Sequence, residues 1–183
     1  MCSSDLIWLR TRRAPDGDAE DGADIVIDLH DTAWPVIRRV VPRLAGRGDW
    51  YAAESRAFFA PRAATWDDRF GDDLPAYAAA VAEAAIPAGG TVLDAGCGTG
   101  RALPALRAAV GPAGRVIAVD LTPQMLAVAR TTGRARDAAL LLADARRLPF
   151  ARARFEAVFA AGLVPHLPDP AAGLAEQIGR ANV

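Results

Sequence analysis

Apolar positions along the chain fall into two regimes. From residue 91 onward they gather into four short, nearly unbroken runs: Thr91-Val-Leu-Asp-Ala95, Arg115-Val-Ile-Ala-Val-Asp120, Ala139-Leu-Leu-Leu-Ala-Asp144 and Phe155-Glu-Ala-Val-Phe-Ala-Ala161. Runs of this length without polar alternation fit strands covered on both faces. Longer mixed stretches separate them. One reads as a helix starting near Thr99. A second begins within Leu121-Thr-Pro-Gln-Met-Leu126, with Thr122 as N-cap and Pro123 at the first helical position. Asp169 to Arg180 reads as a further helix. Strands alternating with helices predict a parallel sheet.

The first half follows no such rhythm. Residues 11–24 are polar, acidic and glycine-containing and predict a mobile loop. Asp24-Ile-Val-Ile-Asp-Leu-His30 alternates apolar and polar residues and predicts an edge strand. Val36-Ile-Arg-Arg-Val-Val41 is read as a helix that opens at Pro35 and breaks at Pro42. An aromatic-rich helix is expected over Trp50 to Phe59. Another, Pro75 to Ala85, leads through Pro87 and the Gly89-Gly90 pair into the first apolar run.

The turn after that first run carries the clearest chemistry. Gly96, Gly98 and Gly100 occupy alternate positions, and Asp94 closes the strand before them. Such glycines let the backbone turn sharply and let a ligand approach the main chain. The helix that follows would aim its free N–H groups at the crevice. A dinucleotide fingerprint, G-x-G-x-x-G, needs a glycine where this chain has Arg101. Asp94 would also repel a pyrophosphate. It suits a ligand that carries positive charge, on an amino group or a sulfonium.

In D-x-G-x-G-x-G the segment resembles motif I of the class I S-adenosylmethionine-dependent methyltransferases. Three later segments resemble that family in order. The acid closing the second run, Asp120, stands where the ribose hydroxyls are bound, and Leu121 to Leu126 is similar to the post-I segment. Ala143-Asp-Ala-Arg-Arg-Leu-Pro-Phe150 is similar to the segment whose acid faces the adenine amino group. Gly162-Leu-Val-Pro-His-Leu-Pro-Asp-Pro170 is close to a loop of small-molecule methyltransferases. Ala63 to Phe70 resembles the cover that precedes motif I. The resemblance implies an α/β fold: a Rossmann-like, doubly wound, mostly parallel sheet with helices on both faces and a helical N-terminal extension. Residues 1–70 would be extension and cover, and residues 71–183 the cofactor-binding domain. The cofactor would be S-adenosyl-L-methionine. Asp94, Ala95, Gly96, Cys97, Gly98, Gly100, Asp120, Leu121, Met125, Asp144, Ala145 and Ala161 would hold it, and the methyl acceptor would be a small molecule.

Composition narrows the partners. The net charge of −1 gives no field that favours nucleic acid or an anionic membrane. All 21 basic residues are arginine, which excludes lysine-dependent P-loop and Schiff-base chemistry. Cys2 and Cys97 make no disulfide framework, and two histidines with two distant cysteines make no metal site. No apolar run reaches the ~20 residues of a membrane helix. The start of the chain lacks the form of a signal peptide, so a reducing cytoplasm is the expected setting.

His166 is the candidate catalytic base, because an imidazole titrates near neutrality and this one follows the fourth strand. Its bland alternative is a loop histidine bonded locally, for instance to Asp169. For Trp66 and the other aromatics, core packing is the expected role. After Arg180 the sequence stops at Ala181-Asn-Val183, so the C-terminal strands of the family fold are expected to be missing. The strand at 155–161 would then form an exposed apolar edge, unless the strand at Asp24–Leu29 covers it. Two other readings stay open at this level: a non-catalytic or truncated cofactor-binding protein, and a nicotinamide-dependent oxidoreductase.

Overall fold

The computed structural model describes residues 6–11, 20–29, 35–45 and 48–182. Cys2, His30 and most of the loop expected over residues 11–24 lie outside the described residues.

Four parallel strands form the main sheet: β4 (Thr91–Ala95), β5 (Arg115–Asp120), β6 (Ala138–Leu142) and β7 (Ala157–Phe159), in the order β6-β5-β4-β7. The chain steps outward from β4 to β6, then returns to the other side of β4 with β7. That reversal opens a crevice beyond the carboxyl ends of β4 and β7, where ligands bind in open α/β sheets. The central strands β4 and β5 are largely apolar because both faces are covered, whereas the edge strand β6 leaves Leu141 and Leu142 exposed. Val92, Val116 and Ala118 pack with Leu103, Leu106 and Val110, which share one face of α4 (Leu103–Val110), and with Val81 of α3 (Leu74–Glu83). On the opposite face Leu93, Ala95 and Val119 meet Ala145, Leu148 and Phe155. The helix α5 (Pro123–Thr131) joins β5 to β6, and α6 (Pro170–Ile178) follows β7.

Several elements lie where the sequence places them, with trimmed ends. The helix after the glycine turn begins at Leu103 rather than near Thr99, because residues 97–102 form successive turns. Thr122 is the N-cap of α5, although its hydroxyl makes no capping bond. Asp169 does cap α6, accepting from the Ala172 N–H at 2.9 Å.

The extension differs from the expectation at its start. It is helical from Pro42 on, in α1 (Pro42–Ala45), α2 (Trp50–Phe59) and two 3₁₀ segments, Ala60–Thr65 and Asp67–Arg69. Before Pro42 it is a separate three-stranded sheet of β1 (Ile7–Arg10), β2 (Ile25–Asp28) and β3 (Val36–Val40), in that order. Val36–Val40 is therefore a strand, not a helix. Its β-branched residues pair antiparallel with β2 from Ile25↔Val40 to Asp28↔Val36, a partner that local periodicity does not reveal. Consequently β2 is the central strand of this sheet, not an edge, and it does not cover β7. Just ahead of β7 the chain meets the residues after α6: Phe155 bridges Ala181 in parallel, and the Asn182 N–H donates to the Phe155 carbonyl at 2.7 Å.

The small sheet grips the far end of the chain. Arg38 pairs with Asp28 at 3.0 Å and donates from Nη1 to the Leu167 carbonyl at 2.6 Å.

Candidate functional site

A cavity of about 290 Å³ lies at the carboxyl ends of the main strands. Its floor is the glycine turn. Gly96, Gly98 and Gly100 all adopt positive φ, at 71°, 53° and 79°. They differ in what surrounds them. A Cβ on Gly96 would press on Leu163, and one on Gly100 would press on Leu103 and Ala129. A Cβ on Gly98 would meet nothing within 4 Å, so this backbone faces open space in the cavity.

Asp94 is 2% exposed and lines this space. Its Oδ2 is buried without a hydrogen-bond partner among the described residues. Burial pushes its pKa up to about 7, with the charge of Asp120 adding to the effect. A buried carboxyl oxygen left unpaired is costly unless a donor or a cation arrives.

Asp120 closes β5 beside it. Its Oδ2 accepts from the Gly98 N–H at 2.9 Å and its Oδ1 from the Thr122 N–H at 2.8 Å. Burial raises its pKa, and these backbone donors pull the other way. A carboxylate has about four lone-pair sites, so capacity is left for further donors. Asp144, two residues beyond β6, is held by Arg146, whose backbone N–H donates to Oδ1 at 2.9 Å and whose Nη2 donates to Oδ2 at 2.6 Å. The same guanidinium reaches Asp49, the N-cap of α2, and lies 4.2 Å from the centre of the Tyr51 ring.

The roof comes from the extension. Tyr51, Ser55 and Phe59 recur every four residues on one face of α2 and all line the cavity. Trp66 packs on Ala63 and Met125 and also lines it, joining core and wall in one side chain. The roof is latched to the floor: the Thr99 hydroxyl donates to Asp67 Oδ1 at 2.6 Å, and Arg134 pairs with Asp67 Oδ2. Burial lifts the Asp67 pKa, but the Thr99 and Arg134 bonds outweigh it and hold the carboxyl below its usual range.

Of the residues expected from the sequence, Asp94, Gly96, Cys97, Gly98, Asp120, Leu121, Met125, Asp144, Ala145, Ala161 and His166 all line this one cavity. Ala95 and Gly100 stand behind it: Ala95 is packed among Leu93 and Val119, and Gly100 against Leu103 and Ala129. His166 sits on the 3₁₀ turn Val164–His166, with its ring 6.1 Å from that of Phe59. Asp169, the local partner weighed for it, caps α6 through Oδ1. Sequence reasoning did not assign Tyr51, Ser55, Phe70, Asp73, Tyr77, Thr99 or Arg101 to the site, and all of them line it. Arg101 carried a signal: an arginine directly after a glycine turn that proves to be 6% exposed. Among the described residues, no group of three or more His, Cys, Asp and Glu side chains could hold a metal ion.

The residues fit a ligand with a cationic group and hydroxyls. The donor-poor oxygen of Asp94 asks for the first, the spare lone pairs of Asp120 for the second, and the open face of Gly98 gives it room.

Residues 92–181 match a family model described as a methyltransferase domain. Among solved structures, the chain resembles a candidate methyltransferase in complex with the Haloferax volcanii Trm112 methyltransferase activator. The identity is 30%, the TM-score 0.56, and the match covers 67% of this chain and 55% of that one. A SAM-dependent methyltransferase from Aquifex aeolicus shares the fold at 23% identity and a TM-score of 0.52, over 71% of this chain and 66% of that one. A curated relative, an uncharacterised 37.1 kDa protein of a Streptomyces fradiae transposon, is 36% identical over 89 residues. Those residues are 48% of this chain and 26% of the relative, so the chain spans about a quarter of that protein's length. Residues 92–181 thus resemble a methyltransferase domain, and the fold is one that S-adenosylmethionine-dependent methyltransferases share.

Proposed function

We propose that this protein binds S-adenosyl-L-methionine in the cavity above Gly98 and transfers its methyl group to a small-molecule acceptor. The observation that carries the reading is the buried, unpartnered Oδ2 of Asp94 facing a cavity that the absent Cβ of Gly98 leaves open. Bound there, the cofactor supplies a methyl group already activated on a sulfonium sulfur.

The chain's own residues then have limited tasks. Asp94 holds the cationic amino group. Asp120 accepts from the ribose hydroxyls while its other lone pairs stay fixed by Gly98 and Thr122. Asp144 and Ala145 line the side of the cavity assigned to the adenine. Tyr51, Phe59 and Trp66 keep water from the reacting atoms and press the acceptor toward the methyl group. Holding two reactants in line and dry is the main contribution that such a transfer needs. His166, on the wall beside Phe59, takes the proton where the acceptor is a hydroxyl or an acidic carbon.

A small acceptor is supported by the aromatic roof of Tyr51, Phe59 and Trp66 over the cavity. Calorimetric titration of the full chain with S-adenosylhomocysteine, with NAD as control, tests the cofactor. Micromolar binding of the first alone is the expected result. Absence of binding would overturn the reading. Binding with no methyl turnover on a panel of hydroxyl, amine and thiol acceptors would leave a cofactor-binding protein without transferase activity.

A further inference from the structure

Resting on the cofactor reading above, we propose that the small cleft between α2 and the start of β3 is a subsite for a positively charged nitrogen of the methyl acceptor, with Glu54 as its anionic partner. The acceptor then has two parts: a reacting group inside the main cavity and an ammonium held beside it. The ammonium is a handle, not the atom that receives the methyl group.

Ser55, Phe59 and His166 line both this cleft and the main cavity, so single side chains separate the two spaces. Glu54, Phe58 and Val36 line the cleft alone. Its volume of about 10 Å³ suits one water-sized group, which an ammonium is and a ring is not. Glu54 is half-buried, and no hydrogen bond or ion pair holds its carboxylate among the described residues. Burial raises its pKa, and no neighbouring cation pulls it back. A carboxylate drawn from water is costly until a cation or a donor reaches it. The next basic side chains along the chain do not serve: Arg56 donates from Nε to the Leu121 carbonyl at 3.0 Å, and Arg62 from Nη1 to the Phe58 carbonyl at 2.6 Å. Other acids of the cover have visible structural tasks. Asp49 caps α2, and Asp67 latches the roof. Glu54 sits in the middle of α2, where it can cap neither end. Aromatic rings attract ammonium groups, and the Phe58 ring already holds one cation, the Arg62 guanidinium 4.0 Å from its centre.

The test uses the full chain and two probes of one shape: 2-phenylethylamine, cationic at neutral pH, and 2-phenylethanol, which is neutral. S-Adenosylhomocysteine is titrated first by calorimetry, and each probe is then added to the saturated chain and followed by NMR. The amine is expected to bind about 5- to 20-fold more tightly than the alcohol, the scale of a partly buried ion pair. Glu54→Gln is expected to remove that preference while its affinity for S-adenosylhomocysteine stays unchanged, which also reports an intact fold. Its melting temperature should equal or exceed that of the wild type, because an acid kept for a ligand adds nothing to stability. Equal affinities of the two probes for the wild type, or no binding of either, would overturn the subsite. So would a Glu54→Gln chain that keeps the preference, or one that melts lower and so reveals a structural role for the acid. Failure of S-adenosylhomocysteine to bind would instead overturn the cofactor reading, and the two probes added to the ligand-free chain would still decide the subsite.

Discussion

Gly98 and Asp120 lie 22 residues apart in sequence and are joined by a 2.9 Å hydrogen bond from the Gly98 N–H to Asp120 Oδ2. The glycine turn after β4 is thus tied to the acid that closes β5. A carboxylate that organises the floor of the cavity also faces the ligand. Asp120→Ala is expected to weaken S-adenosylhomocysteine binding by about 1–3 kcal/mol, the scale of lost hydrogen bonds to a charged group. Calorimetric titration reads this, and an unchanged dissociation constant would remove Asp120 from the site.

The three glycines of the turn are expected to separate under substitution. Gly100→Ala places a Cβ 2.9 Å from the Leu103 Cδ1 and 3.0 Å from the Ala129 Cβ, at a backbone angle that L residues disfavour by about 1–2 kcal/mol. It should lower the melting temperature. Gly98→Ala meets the backbone penalty but no clash. It should cost less stability and instead obstruct the ligand. Melting curves with and without S-adenosylhomocysteine distinguish the two. Equal ligand-induced shifts in Gly98→Ala and the wild type would contradict the assignment.

The latch between roof and floor makes a separate prediction. Thr99→Val keeps the shape of the side chain but removes the donor to Asp67, leaving that carboxylate with Arg134. The loss should be about 1 kcal/mol, concentrated in the cover. Hydrogen exchange across residues 60–70 should accelerate more than exchange in β4 and β5. Uniform acceleration, or none, would show that the bond does not hold the roof.

Asp94 should impose a pH dependence on binding. Its carboxyl has a pKa near 7 because burial, and then Asp120, disfavour the charge. A cationic amino group binds the ionised form better. Affinity for S-adenosylhomocysteine should therefore rise between about pH 6 and pH 8, with a proton released on binding below pH 7. Stability of the ligand-free chain should move the other way. The folded state holds a proton that the unfolded chain loses near pH 4, so this contribution is full below pH 4 and declines as pH rises through 7. Asp94→Asn should flatten the binding profile. A wild-type profile that is already flat would contradict the role of Asp94.

Much of this site was readable before folding because its parts are local. Asp94 and the glycines occupy seven consecutive residues, and each later acid ends or follows an apolar run, so sequence order already fixes their side of the sheet. Other features depend on distant partners. Val36–Val40 is a strand only because Ile25–Asp28 pairs with it across a bulge near Val26. Five residues are too few for periodicity to separate strand from helix. Arg101 stood out in sequence only as a missing glycine. Its burial needs Asp73, Phe70 and Tyr77, which arrive from the end of the cover and from α3. Trp66 was expected to be core and is, yet the same ring is also wall, a double role that spacing does not express.

The bond from Arg38 to the Leu167 carbonyl spans 129 residues and places the small sheet one residue from His166. On a ribosome the grip emerges long before the loop it holds. Every turn between them must be made before the loop that carries the proposed base finds its seat. A swap that grafts residues 71–183 onto another protein's leading segment would carry over the floor of the cavity but leave that loop without its clasp.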